Sequence, residues 1–363
     1  MAALAAGHEV VGLCGRAPGD EPVPLAGVEI VRVRSGRVSA GLRRAGLGGM
    51  RRSNPIVREL RGLYRIGRLA AANLRLARAT RGLGHVDVVQ ANDFDTLPAA
   101  RVAARRSGAR LVYDAHELYA DQEPGTPLVY RTLVRVLEGP LARSADSVVT
   151  VSDPIAAELH RTLRLREQPI VVLSAPARTE FEPAPRGDGP LRAIYQGAMG
   201  PGRPLGDLLV AAEHAPEVRF TLRVAGADPE ALREAAAHLS NVEIVEPVAP
   251  DRLVEALRGH DVGLIINRPV TRNDELVFPN KLFEYLMAGL AVAVPRLPGM
   301  TPLVEGDGVG VTYEPGRPEL LGAALAALDP VAVTELQRRA RELALSRLNA
   351  ESQIDLLVRA WRP

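Results

Sequence analysis

The sequence predicts an α/β protein of two domains, each a doubly wound parallel sheet, that face each other across a cleft. Three observations support this prediction. Short apolar runs alternate with longer helical patterns along the whole chain, as in βαβ units. The length of 363 residues allows two domains with separate cores. A stretch rich in Pro, Gly, Asp and Glu, residues 175–190, separates two parts of similar rhythm.

The order of elements predicts a Rossmann-like arrangement on both sides of this stretch. The predicted strands are Glu9–Leu13, Val28–Val33, Val86–Gln90, Arg110–Tyr113, Ser147–Val151, Ile170–Leu173, Arg192–Gln196, Arg219–Ala225, Val242–Val245, Val262–Ile266, Ala291–Pro295 and Val309–Tyr313. The predicted helices are Ile56–Thr80, Thr96–Ser107, Pro127–Arg143, Pro154–Leu163, Leu205–His214, Pro229–His238, Pro250–Arg258, Asn280–Ala288, Pro318–Ala327, Val331–Leu345 and Glu351–Trp361. We assign residues 1–178 to the first domain, 179–190 to a linker, 191–345 to the second domain and 346–363 to a C-terminal helix.

The beginning of the chain departs from this arrangement. Residues 1–10 have the pattern of a helix end, a C-cap glycine at Gly7 and then a strand. A doubly wound domain normally begins with a central strand before that helix. Either the start is misplaced or the first domain lacks its first strand, which would leave two neighbouring strands with unpaired edges.

Composition limits the class of protein. No apolar run reaches the roughly 18–20 residues that span a bilayer, and no leader pattern precedes Glu9, so a cytoplasmic protein is expected. The lone Cys14 cannot form an internal disulfide.

Positive charge is concentrated in one block. Between Arg32 and Arg81 there are fourteen arginines and one acid, Glu59. Such a block predicts one of two things: a solvated helix face, or a peripheral contact with the anionic inner surface of a membrane. Nucleic acid is not expected as a partner.

The segment Phe278–Val292 carries the densest set of candidate site residues. Pro279 and Asn280 suit a helix start, whose free N–H groups and dipole can hold phosphate. Lys281, the only lysine among 45 basic residues, adds a full positive charge there. Glu284 lies one turn later, where a carboxylate can accept hydrogen bonds from sugar hydroxyls. The alternative is an ordinary crossover helix with a surface lysine.

A second candidate is the glycine-rich segment Tyr195–Leu205, in which a strand, a glycine-rich loop and a helix follow one another. This order is typical of a phosphate cradle. Gly197 and Arg203 are its candidate binding residues. A plain glycine turn is the alternative.

The remaining candidates lie in the first domain. The strand before His116 delivers His116 and Glu117 into the loop at its carboxyl end. Asn92 and Asp93 follow the preceding strand. The spacing of Asp93 and Asp95 could form a metal pair, but a helix cap or an acceptor contact is favoured.

The run Phe-Pro-Asn-Lys-Leu-Phe-Glu-Tyr-Leu at 278–286 resembles the donor-site motif of retaining family 4 glycosyltransferases of the GT-B fold. The similarity extends from Ala2 to about Val358. In that family two glutamates bracket a glycine-rich turn, and the second contacts the ribose of the nucleotide. Glu284 matches the second glutamate. The first falls at Leu276, with Glu275 one place away.

The resemblance implies roles for the other candidates. Two basic residues grip the donor diphosphate in the family; Arg203 matches the second and Ala198 replaces the first. In the family a histidine contacts the transferred sugar, and His116 matches it. The resemblance thus implies that His116, Arg203 and Lys281 are the catalytic residues. The C-terminal helix is expected to cross back onto the first domain. The implied donor-binding residues are Gly197, Arg203, Asn280, Lys281, Leu282 and Glu284.

These implications together predict transfer of a sugar from a nucleotide diphosphate sugar, with retention at the anomeric carbon. The second domain would bind the donor. The first would bind an acceptor, a lipid, polysaccharide or natural product, through Asn92, Asp93 and Glu117. Neither a metal nor a cofactor is expected. The alternatives are a nucleotide-sugar epimerase of the same fold and a nucleotide-sugar-binding protein with impaired catalysis.

Overall fold

Parallel strands alternate with helices throughout the computed structural model, which describes residues 7–16, 27–34, 54–183, 187–198, 204–226 and 228–362. The strands in these ranges are β1 (Val10–Arg16), β2 (Val28–Arg34), β3 (Val88–Asn92), β4 (Arg110–Ala115), β5 (Ser147–Thr150), β6 (Ile170–Val171), β7 (Arg192–Ala198), β8 (Arg219–Ala225), β9 (Val242–Val245), β10 (Val262–Leu264), β11 (Ala291–Pro295) and β12 (Gly310–Tyr313). Each predicted strand is confirmed, with ends that shift by at most three residues.

The α-helices in the described ranges are α1 (Pro55–Ala79), α2 (Leu97–Ser107), α3 (Leu128–Ala142), α4 (Asp153–Leu163), α5 (Gly206–Glu213), α6 (Pro229–Ala235), α7 (Arg272–Leu276), α8 (Asn280–Met287), α9 (Thr301–Gly306), α10 (Pro318–Ala326), α11 (Pro330–Ser346) and α12 (Ala350–Trp361). None of them is long and apolar enough to cross a membrane. The chain divides into a first unit, Met1–Val172 with Ile354–Pro363, and a second unit, Leu173–Gln353.

The described strands of the first unit form two parallel sheets. One has the order β1-β2 and the other the order β3-β4-β5-β6. Among the described strands, β1 pairs only with β2 and β3 only with β4, so each has one edge without a strand neighbour. Residues 1–6, where the sequence predicts the end of a helix, lie outside the described residues.

Helix α12 belongs to this first unit from Ile354 onward. Its end is fixed to the sheet, because the indole Nε1 of Trp361 donates to Gln90 Oε1 at 2.8 Å and Arg110 Nε donates to Ala360 O at 3.2 Å. Ala360 is completely buried and packs beside Val112.

The single acid of the arginine block stabilises a helix start. The carboxylate of Glu59, on α1, accepts hydrogen bonds from the backbone N–H groups of Leu128 and Val129 at 3.0 and 2.9 Å. Both groups lie in the first turn of α3, where backbone donors have no partner within the helix. Glu59 therefore joins α1 to α3.

The second unit contains one six-stranded parallel sheet with the order β12-β11-β10-β7-β8-β9. Both faces of β7 are buried, with Ala193 and Tyr195 in one apolar cluster and Ile194 in the other. The chain adds β8 and β9 on one side of β7 and then returns to add β10 on the other side. The carboxyl ends of β7 and β10 therefore form a topological switch point, the usual ligand position in such sheets.

Two local predictions are wrong. Residues 250–258 form two short 3₁₀ turns, Pro250–Arg252 and Glu255–Leu257, instead of a helix. Only Leu257 of these turns is buried, so no apolar stripe stabilises a longer helix. The segment after β10, for which the sequence analysis gave no helix, contains α7. This helix begins with a capping box in which Thr271 and Asp274 bond each other's backbone N–H groups.

A buried acid in the first unit makes stability dependent on pH. Glu138 is 3% exposed and accepts a hydrogen bond of 2.8 Å from the hydroxyl of Tyr113. Burial raises the pKa of Glu138 from 4.5 to about 7. The folded state thus favours the protonated acid, and Glu138 costs stability progressively as the pH rises from 4.5 to about 7.

We predict that Glu138→Gln stabilises the protein at about pH 8.5 by about 3 kcal/mol and has little effect at about pH 5. Glutamine keeps an acceptor for Tyr113 without the buried charge. Urea unfolding at both values measures the difference, with the exposed Glu167→Gln as the control. An equal effect of Glu138→Gln at both pH values would contradict the prediction.

Candidate functional site

Backbone and side-chain polar groups meet at the switch point of the second unit. Gly197 and Ala198 end β7, Asn267 follows β10, and α8 begins at Asn280 after Pro279. Pro279 has no side-chain oxygen to cap the first turn of α8, and Asn280 is exposed. Oδ1 of Asn267 is buried and accepts no hydrogen bond from the described residues. The site thus presents several backbone and side-chain groups to a polar ligand.

Lys281 lies inside this site rather than on the surface. The residue is 8% exposed, and its Nζ lies 4.1 Å from the centroid of the Tyr195 ring. A Cβ atom added to Gly197 would come within 2.4 Å of this Nζ. A side chain at position 197 would therefore displace the ammonium group, so glycine is required for the close approach.

Glu284 lies one turn after Lys281 and is half-buried. Its Oε2 accepts a hydrogen bond of 3.2 Å from Gln196 Nε2. Burial raises the pKa of the Glu284 carboxyl, while the Gln196 hydrogen bond and the Lys281 ammonium act in the opposite direction. The structure thus brings together Gly197, Lys281 and Glu284, three of the residues that the sequence analysis named as candidates.

The sequence did not identify Gln196 or Arg223. The amide Oε1 of Gln196 accepts a hydrogen bond of 2.8 Å from Arg223 Nη1, and Arg223 Nη2 donates to Ala256 O at 3.2 Å. Ala256 lines an open pocket of about 500 Å³, together with Val248, Ala249, Arg252 and Glu255. The one sequence signal for Gln196 was a polar amide within the buried run Ala193–Gln196 of β7. Arg223 had no such signal.

Helix α8 is fixed to both central strands by one hydroxyl. The Tyr285 hydroxyl accepts a hydrogen bond of 2.8 Å from the Gln196 backbone N–H and donates to Leu264 O at 3.2 Å. The ring lies directly over Gly263, where an added Cβ would come within 2.2 Å of it. This contact positions Lys281 and Glu284 relative to the ends of the strands.

The other predicted donor residues differ in their placement. Arg203 lies outside the described residues. The side chain of Leu282 is fully buried in the apolar core, so the prediction that it binds donor can hold only for its main chain. Leu276 is also buried at 2% exposure, and the Glu275 carboxylate next to it pairs with Arg272. Neither residue supplies the first glutamate of the motif.

A second cluster lies at the carboxyl ends of β3 and β4 in the first unit. His116 Nδ1 lies 2.8 Å from Asp93 Oδ1, and His116 Nε2 lies 3.4 Å from Asp114 Oδ1. The Tyr119 hydroxyl also donates to Asp93 Oδ1. Hydrogen bonding to Asp114 and Asp93 raises the pKa of His116 to about 10, so the ring is an imidazolium at neutral pH.

Asp93 does not cap α2, contrary to the favoured helix-cap interpretation. Its carboxylate is directed to His116 and Tyr119, and its backbone has a positive φ of 70°. The backbone N–H of Asp93 donates to Asp114 O at 2.9 Å, which holds this uncommon conformation. Burial and the charge of Asp93 raise the pKa of Asp95.

The side chain of Gln90 links this cluster to the C-terminal helix. Its Nε2 donates to Asn92 Oδ1 and to Asp114 Oδ2, each at 2.9 Å, and its Oε1 accepts from Trp361. Asn92 is exposed, and Glu117 is half-buried beside His116. No group of three or more His, Cys, Asp or Glu side chains among the described residues is arranged to hold a metal ion.

Family comparisons cover both halves of the chain. The model of glycosyltransferase family 4 matches residues 2–181, and the model of group 1 glycosyl transferases matches residues 193–328. The chain is a family 4-like glycosyltransferase. No curated protein sequence matches this glycosyltransferase.

Solved structures confirm the predicted GT-B fold. Sucrose-phosphate synthase from Thermosynechococcus elongatus has a TM-score of 0.75 at 16% identity, over 99% of this chain and 90% of that protein. A glycosyltransferase from Rickettsia africae has a TM-score of 0.63 at 12% identity, over 97% of each chain. Anabaena HepE, in complex with UDP, has a TM-score of 0.63 at 14% identity, over 91% of this chain and 85% of that one.

We predict that the ring of His116 stays protonated from about pH 5 to about pH 8, because two carboxylates face it. An NMR titration of its Cε1–H signal measures this. Asp93→Asn and Asp114→Asn should each lower its titration midpoint by at least about one pH unit.

The control for the histidine titration is Asp121→Asn, which removes a carboxylate that pairs with Arg135 in the same unit. A midpoint that stays unchanged in both the Asp93 and the Asp114 variants would show that the carboxylates do not hold the proton.

Proposed function

We propose that this glycosyltransferase transfers a sugar from a nucleotide diphosphate sugar to an acceptor hydroxyl or amine, with retention at the anomeric carbon. The observation that carries the proposal is the pairing of Lys281 and Glu284 on α8. A nearly buried ammonium group and a half-buried carboxylate lie one turn apart at the switch point. These two groups suit a nucleotide donor, the cation for its diphosphate and the carboxylate for its ribose.

Lys281 and the first turn of α8 would stabilise the diphosphate as it leaves. The helix N-terminus offers backbone N–H groups, and the ammonium adds a full charge in a site largely closed to water. Arg203 is proposed as the second cation. Gly197 allows this arrangement, because it leaves room for the ammonium above the ring of Tyr195.

In the proposed reaction the bond between the anomeric carbon and the phosphate oxygen breaks. The acceptor oxygen or nitrogen bonds to the same face of the sugar, and its proton passes to the leaving phosphate. The family resemblance supports this retaining course. We assign His116 to positioning the transferred sugar, and Asn92, Asp93 and Glu117 to the acceptor side. No metal or cofactor is assigned a role.

The epimerase and the binding protein remain as alternative proposals. The buried Leu276, where the family motif has a glutamate, favours a protein that binds the donor and turns it over poorly. Product analysis distinguishes the three. A transferase consumes the donor with an acceptor and keeps its anomeric configuration, an epimerase inverts the sugar's second carbon without an acceptor, and a binding protein forms no product.

We predict that Lys281→Ala and Glu284→Ala each weaken donor binding by at least about a hundredfold, since each removes a charged contact. Calorimetry with a panel of donors based on UDP, GDP and ADP measures the dissociation constants. The HepE structure is in complex with UDP, which makes a UDP-sugar the first donor to test. Glu275→Ala is the control, because it removes a nearby acid that pairs with Arg272. Unchanged affinity in both site variants would overturn the site.

We also propose that α1 places the protein at the inner face of an anionic membrane, where a lipid-linked acceptor would lie. The helix exposes apolar side chains that a solvated face would not need, with Ile56 70% exposed and Leu63 55% exposed. Leu60 and Leu74 lie on the same side, at heptad spacing. Arg61, Arg68, Arg75 and Arg78 lie along one side of this apolar stripe on α1. Arg65 is turned to the opposite face, where it pairs with Glu123 and lies over the ring of Tyr130.

We predict that the protein sediments with phosphatidylglycerol vesicles and not with phosphatidylcholine vesicles. The double variant Leu60→Ser/Leu63→Ser should reduce the bound fraction at least about fivefold, because it removes the apolar contact and keeps every charge. The control Val270→Ser/Val331→Ser removes exposed apolar side chains of the second unit. Equal binding to both lipids, or no effect of the α1 variant, would contradict the membrane proposal.

A further inference from the structure

The carboxylate of Glu284 is bonded by Gln196, which is bonded in turn by Arg223, and no motif in the sequence identifies either residue. We propose that Gln196 is a positioning residue that keeps Glu284 ionised and oriented toward the ribose diol of the donor, and that Arg223 fixes the orientation of the Gln196 amide. This inference rests on the proposed function. It adds the residues that prepare Glu284 for its ligand.

The chemistry of arginine decides which way the amide of Gln196 faces. A guanidinium group can only donate hydrogen bonds. The Gln196 atom that lies 2.8 Å from Arg223 Nη1 must therefore be the amide oxygen. The NH₂ group then faces Glu284, and it donates to Oε2 at 3.2 Å. A rotated amide would place its NH₂ against Arg223 and its oxygen against the carboxylate.

The amide has little freedom to leave this position. Gln196 is 3% exposed, and its backbone N–H is held by the hydroxyl of Tyr285. Arg223 is held in turn, because its Nη2 donates to Ala256 O. The bond to Gln196 uses Oε2 of Glu284, so that Oε1 is the oxygen presented to a ligand hydroxyl.

The state of charge of Glu284 matters because a carboxylate accepts hydrogen bonds from both hydroxyls of a diol, whereas a carboxylic acid donates one of its own. Burial favours the neutral acid. Few groups among the described residues favour the carboxylate. Lys281 faces it from α8, Gln196 faces it from β7, and Arg223 on β8 acts through Gln196. Removal of the Gln196 donor should therefore leave Glu284 protonated up to a higher pH.

The test compares a nucleoside diphosphate that binds in the donor panel (UDP, GDP or ADP) with its 2′,3′-dideoxy counterpart. Dissociation constants are measured from about pH 4.5 to about pH 8.5. The wild type should prefer the ribonucleotide at least about tenfold at neutral pH and lose this preference toward acid pH. The acid midpoint is the pH at which half of this preference is lost. Gln196→Met should reduce the preference about tenfold and raise the acid midpoint by about one pH unit.

A second variant separates positioning from packing. Gln196→Glu fills the same volume and can pair with Arg223, so a purely structural role predicts near-normal behaviour. Our proposal predicts the opposite, because a second carboxylate beside Glu284 raises the acid midpoint further than the methionine does.

If Gln196→Met fails to fold, Arg223→Met replaces it. That variant keeps Gln196 but frees its amide, and it should reduce the preference about threefold.

The matched control is Gln337→Met. Gln337 is a half-buried glutamine on α11 whose side chain donates to Asp261 O at 3.3 Å. It should leave both the preference and the midpoint unchanged. The inference is overturned if folded Gln196→Met keeps the wild-type midpoint and preference, or if Gln196→Glu behaves as the wild type. A wild type that binds the ribonucleotide without preferring it over the dideoxy form overturns the ribose role of Glu284 itself. That outcome is distinct from the failure of Gln196 alone.

Discussion

The hydrogen bonds of the Tyr285 hydroxyl fix the candidate donor site in the second unit. This one group accepts from the backbone of β7 and donates to the backbone of β10, the two strands on either side of the switch point. Helix α8 therefore cannot rotate or slide without breaking bonds that no water can replace, since Tyr285 is completely buried. These hydrogen bonds therefore determine where Lys281 and Glu284 lie, and they also hold the backbone of Gln196.

Much of this arrangement could be predicted from the sequence. The central strands β10 and β11 are buried on both faces and appear as continuous apolar runs, which explains why they were located. The start of α8 at Asn280 and its end before Gly289 follow from local chemistry, a proline before the helix and a glycine with a φ of 76° after it.

Other features depend on contacts between distant segments and could not be predicted. The bond between Gln196 and Arg223 joins β7 to β8, and nothing in either strand alone indicates it. Asp93 has the local pattern of a helix cap, but the carboxylate is taken by His116 and Tyr119 from the next strand and its loop. The 3₁₀ turns at residues 250–258 form because tertiary packing buries only Leu257 there.

The contact between Gly197 and Lys281 also bears on the amino-acid usage of the chain. Arginine supplies every other basic side chain of this protein, so a strong bias favours it over lysine. The ammonium of Lys281 fits between the ring of Tyr195 and the bare backbone of Gly197, where even one added carbon would collide with it. A planar guanidinium is wider than an ammonium group and fits this space less well. The narrow space beside Gly197 therefore favours lysine at the one position where the bias is broken.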